Sequence, residues 1–224
     1  VLGLLVSSLM ERRAEVASVF NNKRTVFEDS IVAQNEKFKA DYPREYETWA
    51  QTEDTTFRSM FNGSQETDEL ADRPEMVILW AGYAFSRHYN TPRGHRHCIE
   101  DLRKILRTGN PGIDSDGDMQ PATCWTCKGP DVPRMMRELS DSKSVFDPTN
   151  YYAYAGKWSG LGAEMHNTVG CSDCHDARTM DLRPARPALY EAWQRAGKDV
   201  RKASHQEMRS LVCAQCHTEY YFIK

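Results

Sequence analysis

Six of the seven cysteines fall into three pairs separated by two residues: Cys124 with Cys127, Cys171 with Cys174, and Cys213 with Cys216. Random placement of seven cysteines in 224 residues would give well under one such pair. The residue after each pair sharpens the pattern, because His175 and His217 follow the second and third while Lys128 follows the first. Cys-x-x-Cys-His is the attachment pattern of c-type haem. Each thiol adds to one porphyrin vinyl group as a thioether, and the next residue lies beneath the iron and can ligate it. Zinc ribbons usually separate their pairs by about 15 to 20 residues. Here Cys171 lies 44 positions after Cys127, and Cys213 lies 39 after Cys174. A redox dithiol would need a thioredoxin-like βαβ context, and the sequence offers none.

Electron-transfer haems commonly take a second axial histidine. The candidates are His88, His95, His97, His166 and His205, each of which taken singly could equally be a surface or capping residue. His95 and His97 stand out because they immediately precede the clearest helix. Lys128 is the anomaly. An amine binds iron only through a free lone pair, so it needs a dry or metal-bound setting. A centre that merely passes electrons would be served by histidine, so the lysine points to an iron with one face left open for a substrate.

The elements that must position these groups read as helix and loop. The segment "FNNKRTVFEDSIVAQNEKFKADYP" predicts a helix that stops by Pro43, and residues 76 to 86 form a short apolar run. In "HCIEDLRKILRTGNPG", Ile99, Leu102, Ile105 and Leu106 share a face, with Gly109 and Pro111 ending the helix. Pro187 opens a helix carrying Leu189, Trp193 and Ala196, and Gly197 closes it. "SHQE" at 204 to 207 has the form of a capping box, followed by Met208, Leu211 and Val212. Nothing alternates as a strand would. The net charge of −3, from 29 basic and 32 acidic side chains, excludes a basic nucleic-acid surface. The apolar start "VLGLLVSSLM", followed by Glu11, Arg12 and Arg13, is too short to span a bilayer, which takes about 20 residues. Residues 1–10 are expected to be the remnant of a signal peptide or membrane anchor, with one domain over 11–224.

Taken together, "RGH" with "LRTG", "CWTCK" running into "GPDV", "GCSDCHDARTMDLRPARPAL" and "RSLVCAQCHTEYYF" resemble cytochrome c nitrite reductase, the pentahaem, ammonia-forming family. The likeness covers the chain from about residue 30 and implies a mainly α multihaem cytochrome c fold with little β structure. It implies a six-electron reduction of nitrite to ammonium, part of nitrogen metabolism, in the periplasm. By that resemblance Lys128 is the proximal ligand of the catalytic haem, and Arg107 and Tyr220 are the active-site arginine and tyrosine. His175 and His217 are the proximal ligands of the next two haems, and His95 is the distal ligand of the third. Glu219, with the backbone of Tyr220, would help hold calcium. The implied partners are nitrite, a membrane quinol-oxidising multihaem cytochrome c as electron donor, and a second copy in a homodimer.

The family pattern continues well past Lys224, with two more haem motifs, an active-site histidine, further calcium ligands and the dimer helices. The sequence is therefore expected to be the front portion of such a reductase, carrying three haems of five. The alternatives are a non-enzymatic multihaem electron-transfer cytochrome and a portion of an octahaem nitrite reductase. Cys98 is expected to be a small half-buried residue, and the "DSDGD" loop at 114 to 118 a solvated turn.

Overall fold

The computed structural model describes residues 2–21, 24–58, 60, 64–82, 86–91, 93–104, 125–139 and 164–218. Among these the α-helices are α1 (Leu2–Asn21), α2 (Pro43–Gln51), α3 (Glu69–Asp72), α4 (Cys98–Lys104), α5 (Asp131–Leu139), α6 (Cys171–Cys174), α7 (Pro187–Arg195) and α8 (His205–Ala214). Short 3-10 turns cover Asn35–Phe38, Pro74–Trp80, His95–His97 and Val200–Lys202. No strand forms among the described residues, where pairing is limited to the isolated bridges Asp68 with Asn90 and His175 with Leu182. The mainly helical class therefore holds.

The last two helices follow their sequence signals closely. Pro187 occupies the first turn of α7, where its missing N–H costs nothing, and Gly197 takes a φ of 74° just beyond the end. At α8 the Ser204 hydroxyl accepts from the Glu207 amide at 3.3 Å, and Glu207 Oε2 accepts from the Ser204 amide at 2.9 Å, closing the box. Leu189, Val200 and Leu211 form the buried cluster between these elements, with Trp193 and Met208 against it.

The helix expected across residues 20 to 43 does not form. α1 ends at Asn21, only Asn35–Phe38 coils among the described residues from 24 to 42, and Pro43 begins α2 instead of ending a helix. Longer-range pairing overrides the local helical pattern. The Val32 amide donates to Ser172 Oγ at 3.0 Å, Asn35 Oδ1 accepts from the Cys171 amide at 2.9 Å, and the Ala177 amide donates to Ser30 O at 3.0 Å. Val32 and Phe38 bury against Ala177 with Phe27, Tyr42 and Met180 around them. The segment is thus laid out as an extended brace over α6 and the second cysteine pair.

Residues 76–80 fall in the Pro74–Trp80 turn, with Val77, Ile78 and Leu79 exposed. α1 also exposes its apolar side chains, among them Leu2, Leu4 and Leu9. No described helix is long and apolar enough to cross a membrane.

α5 has no counterpart in the sequence reading. Pro130 and Pro133 suggest a loop, yet Pro133 falls in the first turn of the helix, where proline is tolerated. The Asp131 carboxylate accepts from the amides of His166 and Asn167 at 2.9 and 2.7 Å, and Val132, Met135 and Met136 are buried.

Candidate functional site

His95 is placed by α2 and α4. The carbonyl of Thr52, just beyond α2, lies where a Cβ on Gly94 would meet it at 2.1 Å, so only glycine permits this approach. Arg96 forks onto Glu53 Oε2 at 3.2 and 2.9 Å, and its guanidinium sits 4.6 Å from the centre of the Trp49 ring. The Trp49 indole N–H in turn donates to Val169 O at 2.8 Å, just ahead of the second cysteine pair. On α4, Ile99 and Leu102 are buried, and Asp101 holds Arg93 in an ion pair.

His97 turns away from this role. Its ring is buried, Nε2 lies 3.0 Å from Glu53 O, and Nδ1 lies 3.3 Å from Glu100 Oε2. Both nitrogens are engaged, so His97 is a structural residue and the suggestive pair reduces to His95 alone. His88 is 3.9 Å from Asp68 Oδ1, and His166 and His205 are exposed.

A cleft of about 430 Å³ gathers residues from all three motifs. Cys127 and Lys128 come from the first, Cys174 from the second, and Cys213, Cys216 and His217 from the third, and His95 and Cys98 also line it. The rings of His95 and His217 lie side by side in it, with centroids 6.5 Å apart and planes tilted by 45°. Two imidazoles bonded to one metal at about 2.0 Å each, with about 1.1 Å from nitrogen to ring centre, would place their centroids about 6.2 Å apart. The observed separation is close to that value, so the spacing of the two rings suits a shared metal. Burial lowers the pKa of His95, and the charges of His217 and Lys128 add to the effect. The ring is thereby kept neutral, the form with a lone pair to give.

His175 is prepared differently. Its Nδ1 lies 2.7 Å from Met180 O, which fixes the ring and leaves Nε2 as the free nitrogen. Met180 reaches this position with a φ of 63°, a left-handed conformation costing an unbranched residue about 1 kcal/mol. The turn is closed by Met180 N to Asp176 O at 2.7 Å and Asp176 N to Asp181 O at 2.9 Å.

Lys128 is half-buried, and its backbone is held by the Lys128 N to Trp125 O bond at 2.9 Å. The Cys98 thiol donates to Lys128 O at 3.1 Å, tying α4 to the lysine-bearing loop. The following Gly129 is obligatory, since a Cβ there would lie 1.9 Å from Asn167 O. The Cys127 thiol is drawn below its ordinary range by a hydrogen bond with Cys216, then by the cations of Lys128 and Arg186. Burial and the Asp173 carboxylate push Cys174 up to about 12. No disulfide joins the described cysteines.

Arg107, Cys124, Glu219 and Tyr220 lie outside the described residues, as do Ile105, Leu106, Gly109, Pro111 and the 114 to 118 loop. No group of three or more metal-ligating His, Cys, Asp or Glu side chains occurs among the described residues.

A Cytochrome c552 family model matches residues 34–224, the stretch that holds every motif and the cleft. The chain belongs to the cytochrome c552 family. It is 60% identical over 224 residues to cytochrome c-552 of Porphyromonas gingivalis, a match covering 99% of this chain and 42% of that protein. Cytochrome c-552 of Bacteroides thetaiotaomicron is 61% identical over 222 residues, covering 99% of this chain and 43% of that protein. This cytochrome c552 chain thus spans about two-fifths of the length of the curated relatives it matches. Among solved structures it resembles the catalytic subunit of cytochrome c nitrite reductase from Desulfovibrio desulfuricans, described with two calcium sites. The TM-score is 0.65 at 32% identity, covering 84% of this chain and 40% of that one.

Proposed function

We propose that the protein to which these residues belong reduces nitrite to ammonium in the periplasm, and that this portion holds three of its c-type haems. The observation that carries the reading is the sharing of one cleft by Lys128 and the neighbouring rings of His95 and His217. A bis-histidine arrangement suits electron transfer, and a lysine at the neighbouring motif suits an iron reserved for chemistry. Likeness to a nitrite reductase of known structure supports the same conclusion.

In this reading Cys124 and Cys127 anchor one haem, Cys171 and Cys174 a second, and Cys213 and Cys216 a third. Lys128, His175 and His217 would hold their irons, with His95 joining His217 at the third. When bound, the haem at 124–128 would supply the redox chemistry for nitrite reduction. The overall reaction takes nitrite, six electrons and eight protons to ammonium and two waters. Arg107, as a fixed cation, orients the anion and offsets charge that develops on its oxygens. Tyr220 donates a hydrogen bond or proton to a departing oxygen. Glu219 and the Tyr220 backbone contribute to a calcium site beside them.

The electron donor is a membrane quinol-oxidising multihaem cytochrome c. The full-length protein is a homodimer.

The test is turnover by the native holoprotein with a reduced viologen dye as donor. Nitrite consumed is expected to appear as an equal amount of ammonium. If added nitrite changes neither the visible spectrum nor the dye, while all haems are present, the protein is an electron carrier and the enzyme reading falls.

A further inference from the structure

The three cysteine pairs share a feature that their spacing alone does not explain. In each, the residue just before the second cysteine turns inward: Thr126 in the first, Asp173 in the second and Gln215 in the third. All three are buried, and all three meet one residue, Arg186, whose side chain has no exposure. Arg186 Nε donates to Thr126 O at 2.6 Å. Its Nη2 donates to Asp173 Oδ1 at 2.6 Å and to Gly129 O at 2.9 Å. Its backbone amide donates to Gln215 Oε1 at 3.1 Å.

The network is closed behind the guanidinium. Gln215 Oε1 also accepts from the Ala185 amide at 2.6 Å, and Gln215 Nε2 donates to Asp173 O at 2.6 Å and Val212 O at 2.8 Å. Asp173 Oδ2 accepts from the Gly170 amide at 2.8 Å, bracing the start of α6. Burial alone would pull the Arg186 pKa down, but the Asp173 carboxylate opposes this and favours the charged form. The group is therefore a permanent cation at the junction of the motifs.

The two carbonyls taken from the first motif belong to Thr126 and Gly129, which bracket Cys127 and Lys128. A planar fork with fixed donor directions can clamp both sides of this two-residue segment at once, while a lysine ammonium lacks that geometry. We propose that Arg186 is a positioning residue that registers the three haem-attachment loops against one another and sets how Lys128 is presented to its iron. This inference rests on the haem reading given above. It adds that the spacing between haems, and the environment of the lysine-side iron, depend on a residue outside all three motifs.

The test compares wild-type holoprotein with R186K and R186M, matured in the native host. Intact mass gives the haem count, electron paramagnetic resonance and potentiometry read the lysine-side haem, and viologen-driven turnover gives kcat and KM. R186K is expected to retain all haems yet change the resonance of the lysine-side haem and its midpoint potential. Its kcat should fall by about tenfold at unchanged KM, consistent with the rate cost of small misplacements. R186M should show the same changes to a greater degree, or fail to accumulate, in which case R186K alone decides. Wild-type resonance, potential and kcat in R186K would overturn the inference, since charge without the fork would then suffice. A wild-type protein lacking covalent haem on these pairs would instead overturn the haem reading itself.

Discussion

Replacing Lys128 with histidine is expected to lower nitrite turnover by about a hundredfold while the haem of the 124–128 pair stays covalently attached, a loss on the scale seen when metal-site partners are altered. The attachment chemistry involves only the two thiols, so it does not depend on the residue that follows. The iron's electronic character does, because imidazole and a free amine differ as ligands. Geometry adds to the effect. Lys128 extends from a loop fixed by Trp125 O, by the Cys98 thiol and by the close approach of Gly129 to Asn167. A histidine from the same backbone position would place its donor nitrogen at a shorter reach and pull the iron from its place. Visible spectra, haem count and separate kcat and KM values check this. Unchanged kcat in a fully loaded K128H protein would mean that the lysine has no part in the chemistry.

The second large effect concerns stability. Asp173→Ala is expected to destabilise the holoprotein by about 3 to 5 kcal/mol, the usual cost of stranding one member of a buried ion pair. Asp173 and Arg186 are both almost wholly buried and 2.6 Å apart, so removing the carboxylate leaves a guanidinium that water cannot reach. The Gly170 amide loses its partner in the same change. Asp173→Asn restores an acceptor but not the charge, and is expected to recover part of the loss. Thermal midpoints of the mature protein give the comparison. Equal midpoints for the alanine variant and the wild type would show that the pair contributes little at this junction.

The three cysteine pairs were legible because thioether chemistry demands a rigid local spacing, which a one-dimensional string records. The approach of the His95 ring to the His217 ring leaves no such trace. Nothing in the run "RGHRHC" tells which of its two histidines lines the cleft and which is spent on Glu53 and Glu100. The helix expected before Pro43 failed because its residues are committed to Ser172, Cys171 and Ala177, some 140 positions later, and such pairings leave no periodic trace.

Arg186 was missed for a related reason: a lone arginine between prolines looks like a solvated loop residue. A signal was nonetheless present. The second spacer residues Thr126, Asp173 and Gln215 are all polar at positions that a merely hydrophobic core would fill differently. Met180 offered no such clue, since its left-handed backbone is imposed by the turn that returns the chain to His175.

The central claim is that the lysine-terminated pair carries haem as the two histidine-terminated pairs do. Peptide mass analysis of the native protein tests it most directly. The account predicts covalent haem on the peptides holding Cys124 with Cys127, Cys171 with Cys174, and Cys213 with Cys216. Haem on the last two, with free thiols or a chelatable metal on the peptide ending in Lys128, would contradict it.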